Sequence, residues 1–214
     1  KKSIDFLVQH SGNKKDLHVC FFGGEPLMNV PVIESTISYC KQIEAVDNNK
    51  QFLYSMTTNG TIMNDKIIEL IKENKISVMI SIDGPKEIQD KHRPFRNGQG
   101  SFDIIMKNCD RLVSATKRPL LARTTFCSTQ TNIKFLLDEL SSLGFSRIRL
   151  EPVDIEKESP LFINDEEWGK SFESNYEIAE NFIKSVENGK MYQYDKFIRF
   201  LHLLMNKHKV NRPC

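Results

Sequence analysis

The sequence predicts an α/β protein whose parallel strands form a sheet or, as the better reading, a barrel. Two observations carry this. Short apolar strands alternate with segments of helical period five times along the 214 residues, which implies parallel strands joined by right-handed crossovers. Each strand also has one apolar face and one face that turns polar towards its C-terminal end. A parallel strand covered on both faces is nearly all apolar, so this pattern points to a barrel whose mouth holds a polar ligand at the strand C-termini.

The elements follow in order. The opening KKSIDFLVQHSG reads as an amphipathic helix with Ile4, Leu7 and Val8 on one side, and it lacks the apolar core and cleavage site of a signal peptide. A start inside a helix, without Met, suggests a piece of a longer chain. Strands are expected over 18–23, 52–58, 77–83, 120–126 and 147–153, and helices between them over 32–46, 65–73, 102–114 and 133–143. Two further helices follow, over 165–187 and 192–207. The helix over 102–114 places Ile105, Cys109, Leu112 and Val113 on its buried stripe. Asn164 with Glu167 makes a capping box, and the helix it opens carries Trp168, Phe172, Ala179, Phe182 and Val186 on one stripe. The longest stretch without period is 84–100, and loops of that length are often functional.

Composition narrows the function classes. Hydrophobic residues at 39% and charged residues at 27% are those of a soluble globular domain with a sizeable core. A net charge of +2 argues against a broad nucleic-acid footprint, and no apolar run is long enough to span a membrane. The five cysteines (20, 40, 109, 127 and 214) are odd in number and widely spaced, so neither a disulfide framework nor a zinc knuckle is indicated. A reducing cytoplasm fits them. The five histidines include no H-x-x-x-H pair. Cys20 and Cys40 read as small core residues.

The strand ends carry the chemistry. Phe21-Phe22-Gly23-Gly24-Glu25-Pro26 closes the first strand. Adjacent glycines let backbone approach a ligand, and the exposed N–H and C=O groups, with the Glu25 carboxylate, suit an ammonium or a carboxylate. The plainer alternative is a strand-to-helix turn. Thr57-Thr58-Asn59-Gly60 closes the second strand and Ser81-Ile82-Asp83-Gly84-Pro85 the third. Each alone is an ordinary turn former, but three in succession on one face are not. On the next strands Arg123 shares a face with Thr125, and Arg147, Arg149 and Glu151 share another. A guanidinium inside a barrel needs an anion or several carbonyls. For Arg123 that partner is either Glu151 on the neighbouring strand or a ligand carboxylate.

FFGGEP, TTNG and SIDGP, in this order and spacing, resemble the radical S-adenosylmethionine (SAM) superfamily. SIDGPKEIQDKHRPFRNGQGSF resembles more specifically the peptide- and protein-modifying branch with a SPASM-type C-terminal extension. Anaerobic sulfatase-maturating enzymes and thioether-forming peptide maturases belong to that branch. The resemblance implies the following. The fold is a partial (β/α)6 barrel of the TIM type in which the visible strands are the second to sixth, with 1–188 as the core and 189–214 as a helix leading to an extension beyond the chain. Gly23, Gly24, Glu25 and Pro26 contact the amino group of SAM, Ser81 its ribose or carboxylate, and Arg123 its carboxylate, while Asn59 lines the cavity. Arg93 and Arg96 match a basic loop whose role lies open between cofactor and peptide; solvated charge is the plainer reading, above all for Arg96. The family holds a 4Fe–4S cluster with C-x-x-x-C-x-x-C, a spacing absent here, so those ligands are expected upstream of Lys1. Cys214 falls where auxiliary-cluster cysteines begin.

The activity implied is generation of a 5′-deoxyadenosyl radical that modifies a peptide or protein side chain, with electrons from a flavodoxin or ferredoxin. The 214 residues alone are expected to be inactive. Three alternatives stand beside it: a non-catalytic barrel binding a leader peptide or nucleotide, a radical SAM enzyme acting on a small molecule, and an ordinary barrel enzyme. The last uses Glu25, Asp83 or Glu151 as general acid or base, and needs two of them facing each other.

Overall fold

The computed structural model describes residues 1–128, 132–188 and 194–206. The chain divides into two compact units, Lys1–Ser81 with Ser101–Leu120, and Ile82–Gly100 with everything from Leu121 onward.

In the first unit, helix α1 (Lys2–His10) leads into strand β1 (Asp16–Phe21), a 3-10 turn over Pro26–Asn29 and helix α2 (Val30–Val46). Strand β2 (Gln51–Thr58), helix α3 (Asp65–Glu73) and strand β3 (Ser77–Ser81) follow. Strands β1, β2 and β3 run parallel in sequential order, with Cys20 opposite Ser55 and Thr58 opposite Ile80. Alternation decides their faces. On β2, Phe52, Tyr54, Met56 and Thr58 are buried while Ser55 and Thr57 are half-buried. The apolar side meets helices that bury Ile33 and Ile37 from α2 and Ile67, Ile68 and Ile71 from α3. Asn64 caps α3, its side chain accepting from the Ile67 N–H at 2.9 Å.

Helix α5 (Phe102–Thr116) also belongs here and buries Ile105, Asn108, Cys109 and Leu112. The expected stripe is corrected at one position, because Val113 is exposed. Steps of three and four residues from Ile105 reach 108, 109 and 112, and the next turn of that face falls beyond 113. Cys20 is a second correction. It is exposed on β1 while Cys40 is fully buried in α2. Leu17 points into the core, and strand alternation then sends residue 20 to the opposite face.

The second unit contains helix α4 (Lys86–His92), strand β4 (Leu121–Phe126), helix α6 (Ile133–Ser142), strand β5 (Arg147–Pro152), and helices α7 (Asp165–Glu187) and α8 (Asp195–Asn206). Strands β4 and β5 are parallel, with Arg123 opposite Arg149 and Thr125 opposite Glu151. Helix α4 lies inside the stretch that shows no period in sequence; its seven residues make barely two turns, too few for a stripe to register. The strand expected over 77–83 stops at Ser81, and the Ile82 N–H instead donates to the Arg123 carbonyl at 3.0 Å.

The capping box of α7 forms as expected, Asn164 and Glu167 each receiving the other's backbone N–H. Its buried residues include Ser171, Ile178 and Phe182, whereas Val186 is exposed and the Phe172 side chain lies outside the described ones. Trp168 meets the Phe126 ring edge-on at 6.3 Å between centroids. Helix α8 is fastened at its first turn. Asp195 is buried and accepts from Arg147 of β5 and from Arg199 one turn on. Residues 192, 193 and 207 of the helix expected there lie outside the described residues.

Burial pushes the Cys109 thiol up from its ordinary 9.0 to about 12. Folding therefore favours its protonated form. The associated stability is complete below about pH 9 and is lost as pH rises towards 12, because the unfolded chain ionises first. Unfolding free energies from urea titrations at pH 7 and 10.5 should differ by about 1–2 kcal/mol from this thiol alone, and Cys109→Ala should remove that part of the slope.

Candidate functional site

In the first unit the site is built where β1 and β2 end. Beyond β1, Gly23 and Gly24 take φ of +102° and +44°, backbone that L side chains rarely adopt. A Cβ at either would meet nothing within 4 Å, so conformation and open space, not crowding, set these two positions. Glu25 then closes the turn. One carboxylate oxygen accepts from the Leu27 N–H at 3.1 Å and the Thr58 hydroxyl at 2.7 Å, and the other accepts from the Asn59 N–H at 2.8 Å. Pro26, which has no N–H to satisfy, occupies the first turn position. The sequence motifs GGEP and TTNG are thus one construction.

The TTNG turn is held just as firmly from behind. The Asn59 side-chain oxygen accepts from the Thr61 N–H at 2.9 Å and the Thr61 hydroxyl at 2.7 Å. Gly60 has φ +72°, and a Cβ there would lie 3.3 Å from an Ile105 methyl. Asn108, buried in α5, donates to the Gly60 carbonyl at 2.9 Å. Arg111 of the same helix donates to the Met63 carbonyl at 2.5 Å and to Asp65 at 2.6 Å. Ser81 ends β3, half-buried, and the pairing of Thr58 with Ile80 brings Asn59 and Ser81 to the following register position.

In the second unit the central group is Asp83, 4% exposed. Arg93 grips it with two bonds, Nε to one oxygen at 2.7 Å and Nη2 to the other at 3.0 Å, a geometry that lysine lacks. The Thr125 N–H adds a bond of 3.2 Å, and the Asp83 N–H donates to the Gln89 side chain at 2.9 Å. Thr124 fastens the neighbouring carbonyl of Ile82 at 2.6 Å. Arg123 lies on the half-buried face of β4 together with Thr125. Glu151, its alternative partner from the sequence, accepts from Arg149 on its own strand at 2.7 Å. Arg96 is exposed, in keeping with solvated charge. A cavity of about 540 Å³ opens beside Asp83, Arg93, Thr125 and Cys127.

Three carboxylates proposed from sequence as acids or bases are therefore already committed: Glu25 to a hydroxyl and backbone N–H groups, Asp83 to Arg93, and Glu151 to Arg149. Sequence reasoning missed the partnership of Asp83 and Arg93, because a ten-residue separation across an unrecognised helix gives no periodic signal. No group of three His, Cys, Asp or Glu side chains able to hold a metal occurs among the described residues. Cys214 lies outside them.

Parallel α/β units with the polar strand ends at their C-termini define the class as a barrel of the TIM type. The chain belongs to the radical SAM superfamily, whose family profile matches residues 4–135. It is 44% identical over 103 residues to an uncharacterized protein of Methanocaldococcus jannaschii, covering 47% of this chain and 33% of that protein. It is 36% identical over 108 residues to a cysteine-type anaerobic sulfatase-maturating enzyme of Clostridium novyi, covering 49% of this chain and 28% of that one. The matches thus span about a quarter to two fifths of the length of the curated relatives. The structure of anSMEcpe with bound AdoMet and a Kp18Cys peptide superposes with a TM-score of 0.80 at 18% identity, over 98% of this chain and 58% of that one. That likeness establishes the partial barrel.

Glu25 can be tested as the fastening of the two loops. Glu25→Ala should destabilise the protein by about 2 kcal/mol, since bonds to a charged acceptor are worth about 1.5–3 kcal/mol and the Asn59 N–H loses its partner. Glu25→Gln should recover only part of this in urea melts, because its amide can accept at one oxygen but not at the nitrogen. Equal stability of all three proteins would remove the fastening role.

Proposed function

We propose that this chain is the SAM-binding core of an enzyme that modifies a side chain of a peptide or protein. The observation that carries the reading is the Gly23–Gly24 turn, with glycine-specific backbone, open space around both residues and Glu25 pinning it to the end of β2. Such a turn offers backbone groups to an ammonium while admitting no side chain of its own. The peptide substrate is supported by the relative named as a cysteine-type anaerobic sulfatase-maturating enzyme and by the peptide in the anSMEcpe complex.

Within this reading the backbone of Gly23–Pro26 takes the SAM amino group, Asn59 lines the cavity, Ser81 takes the ribose or carboxylate and Arg123 the carboxylate. When bound, SAM with its cluster supplies the one-electron chemistry that removes a hydrogen atom from substrate. In this reading the chain's own residues bind, orient and shield. The described residues provide no ligand set for a 4Fe–4S cluster. A flavodoxin or ferredoxin in a reducing cytoplasm completes the partners of this reading. No described helix is long and apolar enough to cross a membrane.

Two measurements test the proposal. Calorimetry should find weak binding of SAM to this chain, and Gly24→Val should weaken it about tenfold or more, because a β-branched residue at positive φ costs about 1–3 kcal/mol. Unchanged affinity would remove the glycine turn from the site. Separately, the whole protein, reconstituted anaerobically with iron and sulfide and reduced with dithionite, should form 5′-deoxyadenosine in proportion to the mass change of a peptide containing Cys or Ser. Peptide-independent 5′-deoxyadenosine with no modified peptide would overturn the substrate class.

A further inference from the structure

The cavity of the second unit has a charge balance that the cofactor reading does not use. Its volume is about 540 Å³, within the range of ligand pockets. Thr125, Cys127 and Val153, at and just beyond the ends of β4 and β5, form part of its wall. The end of α4 contributes three consecutive cationic or titratable side chains, Lys91, His92 and Arg93. Among the described residues the one acid in the lining is Asp83, and its charge is cancelled by the two-bond grip of Arg93. Lys91 is exposed, and among the described residues it has no acidic partner. The segment from Val153 to Leu161 carries Asp154, Glu156 and Glu158, but these are exposed and lie outside the lining.

One uncompensated positive charge therefore stands at the cavity, with His92 beside it, above a wall that includes Val153, Leu161 and the Cys127 thiol. A ligand complementary to this wall has a short apolar stem and an anionic head. Resting on the peptide-substrate reading above, we propose that this cavity is the subsite for an aspartate or glutamate of the substrate peptide, its carboxylate received by Lys91. The fixed Asp83–Arg93 pair sets the floor: because both Asp83 oxygens already accept from Arg93, a second carboxylate enters without meeting an unpaired like charge. Opposite charges across an interface chiefly select partners, which makes this a specificity determinant.

The same chemistry belongs to the carboxylate of SAM, so the test separates the two sources. The probes are capped hexapeptides holding a central Cys or Ser, with each flanking position varied through Glu, Gln and Lys. Fluorescence anisotropy reads their binding to the whole protein and to its Lys91→Glu variant, and calorimetry reads SAM binding to both. Glu should bind about tenfold tighter than Gln at one flanking position, the worth of a hydrogen bond between charged groups. Lys91→Glu should abolish that preference and invert it towards Lys while leaving SAM affinity unchanged. Equal binding of Glu and Gln peptides overturns the subsite but leaves the peptide reading standing. Loss of SAM affinity in Lys91→Glu with the Glu preference intact overturns it in favour of the cofactor carboxylate. No binding by any peptide, with SAM still bound, overturns the subsite together with the peptide reading.

Discussion

The Glu25 carboxylate is the interaction on which the candidate site depends. Two neighbouring parallel strands end in loops that share no backbone ladder, and the turn after β1 uses two glycines that by themselves are conformationally loose. A charged acceptor reaching across to the Thr58 hydroxyl and the Asn59 N–H, at 2.7 and 2.8 Å, removes that looseness. It also orients the Asn59 backbone, from which the turn to Gly60 and Thr61 continues. Helix α5 then clamps the far side through Asn108 and Arg111. Backbone groups meant for a ligand must be rigid before it arrives, since ordering them on binding would cost affinity.

The second unit solves the same problem with a different pair. Asp83 is buried, and an isolated buried carboxylate is costly. Arg93 satisfies it in two-pronged fashion, and the Thr125 N–H completes the shell. Buried acids here are structural pins at the strand ends. This accounts for polar residues at the C-terminal ends of the strands without assigning them to acid–base chemistry. A protein whose reaction is carried by a bound group needs placement and exclusion of water more than titrating side chains, and membership of the radical SAM superfamily accords with that economy.

Much of the fold was legible because it rests on local periodicity. Strand β2 could be read from alternating Phe52, Tyr54 and Met56, α3 from the Asn64 cap and its isoleucine stripe, and α7 from the capping box of Asn164 and Glu167. The misreadings have separate causes. Val113 and Val186 are apolar, so a stripe count admits them, yet the neighbouring elements cover a narrower arc of each helix than the count assumes. Residue type alone places Cys20 in the core, whereas parity with Leu17 settles its face. Helix α4 was too short to show a period.

For the site, the sequence by itself determined which residues stand at the strand ends: Gly23, Gly24 and Glu25 after β1, Asn59 after β2, Ser81 at the end of β3, Arg123 within β4. Turn chemistry and strand parity are local and need no partner to be read. Which polar groups are spent on the fold was decided only by the tertiary structure. Glu25 lies 33 residues from Thr58, and Asp83 lies 42 from Thr125. Nothing in a linear pattern says that one carboxylate is consumed by a neighbouring strand while an exposed lysine keeps its charge. Hydrogen-bond partners are set by distances of about 3 Å between atoms, and those distances exist only once strand order and register have brought remote segments together.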